Sequence, residues 1–221
     1  MFAKHIVKSY DQELSALRTK IAEMGINTKT QLISAIEALT HRSPDLAQAV
    51  IENDKRVNEL QTEIDNLTVR VLATRQPLAF DLRNIVSGLK IANDLERIAD
   101  NAKRIARSVA ELNNINSDKP IEAIIEMSKL GQQMLSNVID SFKKSDAQKA
   151  VQVWHSDREL DEKYTSLLAQ LKTYMKEEPD KIHAYTTLIF VARCCERIGD
   201  HITNIAEAIY YVVNGKFYHG E

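Results

Sequence analysis

The chain has 221 residues, with 29 Lys and Arg against 31 Asp and Glu, for a formal net charge of −2. A balance this close to neutral excludes the basic coat of a general nucleic-acid binder, and the length admits one large domain or two small ones. The 44% hydrophobic fraction can supply a core and the 27% charged fraction a hydrated surface, while six Gly and four Pro leave little material for turns. Long helices are the expected element, since Ala, Leu, Ile, Glu, Lys and Gln are abundant.

Met1 to Tyr10 mixes polar and apolar residues and lacks both the apolar centre and the small-residue cleavage site of an export signal. A first helix is expected over about 5–40, with Gly25 tolerated inside its pattern. Thr40 to Asp45 breaks it; Ser43 is a good N-cap and Pro44 suits the first helical position, so a second helix runs over about 44–74. Gln76-Pro77 ends that one. The third, about 78–112, carries Leu82, Ile85, Leu89, Ala92, Leu95, Ala99, Ala102, Ile105 and Val109 at intervals of three or four residues. Asn113 to Pro120 is the most loop-like stretch of the chain. Further helices are expected over about 119–143, 146–176 and 180–214, separated by Lys144-Ser145-Asp146 and Glu177-Glu178-Pro179-Asp180 and ended by Asn214-Gly215. Tyr185 to Cys195, the longest apolar-leaning stretch, contains two Thr and an Arg and is too short to span a bilayer. No alternation long enough for a strand occurs. The expected fold class is all-α.

The chain repeats itself. At an offset of 103 residues, Leu32, Ile36, Ala47, Val50, Asp54 and Glu59 fall on Leu135, Ile139, Ala150, Val153, Asp157 and Glu162. After a three-residue deletion the offset becomes 100, and Glu96-Arg97-Ile98-Ala99-Asp100 falls on Glu196-Arg197-Ile198-Gly199-Asp200. Six helices therefore read as two tandem three-helix bundles from an internal duplication, residues 1–115 and 116–221, with the seam at 113–119.

Residues four apart share a helix face, so Glu96 projects beside Asp100 and Glu196 beside Asp200, an arrangement that costs a helix roughly 0.2–0.5 kcal/mol per pair. The preceding helices carry matching pairs, Asp54 with Asn58 and Asp157 with Asp161. Short connections make the second and third helices of each unit antiparallel neighbours, so oxygen-bearing side chains can converge in each half. Two readings stand. One is a solvated acidic face, favoured in the first half by Arg104 four residues after Asp100 and weakened in the second, where Asn204 replaces that arginine. The other is a cation site: oxygen ligands on a rigid bundle suit Mg²⁺, Mn²⁺, Fe or Zn²⁺. A ferritin-type di-iron oxidase is disfavoured, because no Glu-x-x-His occurs.

Other residues point to packing. Lys103, Arg104 and Arg107 alternate with Asp100 and Glu111 and read as a solvated helix face. Adjacent Cys194 and Cys195 lack metal-finger or redox spacing and read as small core residues in a reducing compartment. His201 reads as a helix-surface residue, and Trp154 as core or a partner-facing anchor. Phosphate-binding Gly-rich loops and G-x-S-x-G motifs are missing, which argues against nucleotide hydrolysis and acyl transfer.

The doubled E-R-I-[AG]-D, with Gln76-Pro77, Asp81-Leu82-Arg83 and Ile209 to Gly215, resembles the PhoU family over nearly the whole chain. The resemblance implies paired three-helix bundles, often dimeric, in a cytoplasmic protein that reaches the inner membrane only through its partners. It implies no turnover, no nucleic acid and no membrane insertion. The implied role is to repress the phosphate-starvation response. Its implied partners are the PstB-like ATPase subunit of a phosphate ABC transporter and a PhoR-like sensor histidine kinase. Divalent or transition metals are implied at Glu96, Asp100, Glu196 and Asp200, with Asp54, Asp157 and Asp161 as further ligands; Asn58 departs from the acidic pattern. A metal-dependent enzyme and a purely structural scaffold are the competing readings.

Overall fold

The computed structural model describes residues 8–112, 119–218 and 220. The described residues form six α-helices: α1 (Lys8–His41), α2 (Pro44–Arg75), α3 (Ala79–Ser108), α4 (Lys119–Lys144), α5 (Ala147–Glu177) and α6 (Ile182–Asn214). Short 3₁₀ turns, Val109–Glu111 and Pro179–Lys181, follow α3 and precede α6. Helices α1, α2 and α3 pack mutually, as do α4, α5 and α6, which gives the all-α pair of three-helix bundles expected from the repeat. The expected start of the first helix at residue 5 and most of the expected seam lie outside the described residues.

The duplication extends to the backbone of the hairpins. In the first, Arg42 takes a left-handed conformation (φ 49°), its N–H bonds to the Leu39 carbonyl at 3.2 Å, and the Ser43 N–H bonds to the Ala38 carbonyl at 3.0 Å. Exactly one repeat later Ser145 is left-handed (φ 54°), its N–H bonds to the Phe142 carbonyl at 3.3 Å, and the Asp146 N–H bonds to the Ser141 carbonyl at 3.0 Å. Both are Schellman closures that satisfy the last carbonyls of the helix. The next residue then caps the following helix. The Ser43 hydroxyl accepts from the Leu46 N–H at 3.3 Å, and the Asp146 carboxylate from the Lys149 N–H at 3.0 Å.

Two helix pairs join the bundles. Helix α1 lies antiparallel to α4. Arg18 reaches the Phe142 carbonyl at 2.9 Å near the C-terminal end of α4, where a cation also meets the helix dipole, and Lys29 donates to the Ser136 hydroxyl at 2.9 Å. Gly25 is explained here: a Cβ on it would stand 2.9 Å from Cγ1 and Cδ1 of Ile139, so the glycine lets the helices close. Helix α3 lies antiparallel to α6, with Asn84, Ser87 and Ile91 beside Ile209 and Val212 at one end and Glu111 accepting from the Thr187 hydroxyl at 2.9 Å at the other. This contact corrects the apolar stripe read for α3. Leu82 and Leu89 are exposed, and the inward face passes instead through Asn84, Ser87 and Gly88, because two helices approach α3 there and small side chains fit between them.

Removing either cap oxygen, by Ser43→Ala or Asp146→Ala, is expected to cost about 1 kcal/mol, a fall in Tm of about 2–4 °C by circular dichroism. An unchanged Tm in both variants would show that the hairpins do not depend on these caps.

Candidate functional site

In the first bundle, α2 and α3 bring Asp54 and Asp100 together around the Lys103 ammonium group, with Glu96 beside Asp100. Asp54 is buried, and both its oxygens are satisfied. Its Oδ1 accepts from Gln31 Nε2 at 3.0 Å, and its Oδ2 from Asn58 Nδ2 at 3.2 Å and Lys103 Nζ at 2.6 Å. Lys103 also donates to Asp100 Oδ1 at 2.7 Å. Arg97 lies 3.8 Å from Asp100 Oδ2 and 3.5 Å from Glu96 Oε2. Burial pushes the Asp100 carboxyl up, but the hydrogen bond and charge of Lys103 outweigh it and hold the group below its ordinary value. Glu96, raised by burial and by the Asp100 charge, stays above its own.

Lys103, read from sequence as part of a solvated face, is therefore the cation of this cluster. Arg104, the partner expected for Asp100, makes no bond to it. Three residues along a helix, not four, point the side chain toward α2, where Asp54 adds a second carboxylate. The i,i+3 spacing of Asp100 and Lys103 carried that signal.

The second bundle repeats the carboxylates without the donors. By repeat position Met134 stands for Gln31, Asp161 for Asn58 and Thr203 for Lys103. The Thr203 hydroxyl donates to the Asp200 backbone carbonyl at 2.7 Å rather than to a carboxylate. Asp157 Oδ1 and Glu196 Oε2 are buried and have no hydrogen-bond partner. Glu196 Oε1 accepts from Arg193 Nη1 at 2.6 Å, and no cation among the described residues pairs with Asp157, Asp161 or Asp200. Burial, reinforced by the charges of Asp161, Asp200 and Glu196, pushes the Asp157 carboxyl up to about 7. Asp161 and Glu196 are raised by burial first and by Asp200 second. Among the described residues no three acidic, histidine or cysteine side chains close around one point as finished metal ligands do.

A family model for the PhoU domain matches residues 21–109 and, a second time, 124–209. The chain belongs to the PhoU family. It is 41% identical over 212 residues to a protein of Zymomonas mobilis named phosphate-specific transport system accessory protein PhoU homolog, an alignment covering 96% of this chain and 90% of that one. To the phosphate-specific transport system accessory protein PhoU of Escherichia coli it is 39% identical over 216 residues, covering 96% of this chain and 88% of the other. The crystal structure of PhoU from Pseudomonas aeruginosa superposes with a TM-score of 0.90 at 37% identity, covering 94% of this chain and 100% of that one. That of the phosphate transport system regulatory protein PhoU from Streptococcus pneumoniae gives 0.88 at 28%, covering 95% and 99%.

Beyond the carboxylates, this PhoU-family chain uses its singled-out residues for packing. His201 turns away from the cluster: its Nδ1 donates to Asp94 Oδ1 of α3 at 2.9 Å, and Asn204 Nδ2 donates to the same oxygen at 3.3 Å. Trp154 is half-buried, donates to Glu207 Oε1 at 3.0 Å and meets Tyr218 edge-on. Cys195 is buried and Cys194 half-buried, both as thiols, and burial raises both.

The two aspartates are expected to respond oppositely to neutralisation. In chelator, Asp54→Asn breaks charge-assisted bonds and should destabilise by about 1–3 kcal/mol. Asp157→Asn removes an uncompensated buried charge and should raise Tm. A carboxyl raised in the fold favours its protonated form, so its unfavourable contribution grows as pH climbs from about 4 through about 7. The gain from Asp157→Asn should thus be larger at pH 8 than at pH 5; thermal melts at the two pH values check this, and equal falls in both variants would contradict it.

Proposed function

We propose that the chain is a non-enzymatic regulator of phosphate transport that represses the phosphate-starvation response. In this reading it acts as a homodimeric adaptor on the cytoplasmic side of the inner membrane, between a phosphate transporter ATPase and a sensor histidine kinase. The match of one family domain to both halves of the chain carries the proposal. The names of its relatives, accessory and regulatory proteins of phosphate transport, support a role without turnover. No helix among the described residues is long and apolar enough to cross a membrane, which is compatible with attachment through partners.

The chemistry of the second cluster suits a divalent or transition metal. Its donors are all oxygens, two buried oxygens lack any partner, and Arg193, on Glu196, is the one cation paired with the four carboxylates among the described residues. Asp157 and Asp161 of α5 with Glu196 and Asp200 of α6 would hold the ion, which when bound would neutralise the cluster and tie α5 to α6. The protein's own contribution is to hold four carboxylates on two rigid helices at the cost of their mutual repulsion.

A strain lacking the protein, grown in abundant phosphate, is expected to express an alkaline phosphatase reporter strongly, and the wild-type gene to silence it. A Glu196→Ala/Asp200→Ala variant should fail to silence it fully and should retain less metal by elemental analysis. Low reporter activity in the deletion strain would overturn the regulatory reading; equal metal content in variant and wild type would overturn the metal reading.

A further inference from the structure

We propose that Lys103 is a tethered counter-cation that takes the place of a metal ion in the first bundle, so that the chain has one locked carboxylate cluster and one metal-responsive one. The metal-responsive half of the statement rests on the proposed function above; the locked half rests on the geometry of Lys103.

The ammonium group stands where an ion shared by α2 and α3 would have to stand. It contacts Asp54 Oδ2 at 2.6 Å and Asp100 Oδ1 at 2.7 Å, one carboxylate from each helix, and its side chain is 17% exposed. Gln31 and Asn58 complete the hydrogen bonding of Asp54, and Arg97 faces the other Asp100 oxygen. Three carboxylates thus meet two paired cations in the first bundle, whereas four meet only Arg193 in the second. A divalent ion entering the first cluster would have to expel an ammonium held by two short charge-assisted bonds and would be repelled by it until it left. In the second bundle Thr203 occupies the matching place and its hydroxyl is spent on a backbone carbonyl. Lys103 is therefore a specificity-determining residue: it decides which half of a duplicated motif is open to metal. Metal then acts on α5 and α6 and leaves α2 and α3 as they are.

Chelator-treated protein, titrated with Mn²⁺ alone, tests this by equilibrium dialysis with elemental analysis. Lys103→Thr, which installs the residue of the second half, is expected to raise bound Mn²⁺ by about one equivalent per chain, and adding Asp100→Asn should abolish that gain. Lys103→Arg should keep the wild-type value. No gain in a folded Lys103→Thr variant overturns the lock, as does loss of wild-type binding on Asp100→Asn with Lys103 in place. Asp157→Asn separates the two halves: if it leaves wild-type binding unchanged, the metal reading of the second bundle fails while the gain in Lys103→Thr still decides the lock. Hydrogen exchange on wild-type protein needs no variant. Mn²⁺ should slow exchange in α5 around Asp157 and not in α2 around Asp54; slowing in α2 would overturn the proposal.

Discussion

The antiparallel contact of α3 with α6 is the constraint on which the rest of the molecule depends. Each of these helices has two neighbours in its own bundle and the other as a third, so each packs on three sides and leaves a stripe exposed, through Val86, Leu89 and Arg97 on α3 and through Phe190, Arg193 and Asp200 on α6. Asp94 shows why neither half is complete alone. It accepts from His201 and Asn204 across the seam, and without α6 this half-buried carboxylate would have neither partner. The helices of the seam are repeat counterparts packed antiparallel, but the chemistry of the two sides differs. The repeat counterpart of Asp94 is Cys194, and those of His201 and Asn204 are Asn101 and Arg104. One strong polar tie therefore replaces what strict duplication would make two, and the partner position is filled by a thiol whose burial raises it while Arg104 pulls the other way.

The carboxylate clusters diverged by the same logic. A carboxylate taken out of water must be matched by hydrogen bonds or charge, or it shifts toward its neutral form. The first bundle meets the demand internally, with Gln31, Asn58 and Lys103 placed on three different helices around Asp54. The second meets it only in part. Its three substitutions remove each of the donors that serve Asp54 in the first half, and one of them, Asp161, adds a further negative charge. The same backbone thus supports a satisfied core-side network in one half and, in the other, two buried unpartnered oxygens of Asp157 and Glu196 beside the exposed Asp161 and Asp200, and unpartnered buried acids of this kind are common where a ligand completes a site.

Much of the fold was legible in the sequence because few residues do the punctuating. Ser43-Pro44, Gln76-Pro77, Lys144-Ser145-Asp146 and Asn214-Gly215 each mark a helix end with a local device, and local devices need no tertiary information. The doubled E-R-I-[AG]-D was legible for the same reason, since spacing on a helix fixes which side chains share a face. Three features were not. The burial of Asn84 and Ser87 in preference to Leu82 and Leu89 depends on where α6 crosses α3. The pairing of Lys103 with Asp54 depends on α2, 49 residues away. The turn of His201 toward Asp94 depends on a helix 107 residues away. Each is a choice between faces that a single helix cannot make.

The single difference inside the doubled motif, Ala99 against Gly199, links the second cluster to the core. A Cβ on Gly199 would overlap Asp157 Oδ1 and come within 2.5 Å of Leu160 Cδ2. The glycine therefore lets α5 settle directly onto the backbone of α6, and it is this approach that seals Asp157 Oδ1 from water. Leu160, fully buried, lies against the same glycine, so the carboxylate and a core side chain share one point of contact between the two helices. Repulsion among Asp157, Asp161, Glu196 and Asp200 pushes α5 and α6 apart at the place where packing draws them together. Whatever neutralises Asp157 acts on that balance directly, and the close packing of Leu160 carries the change into the core rather than letting it dissipate at the surface.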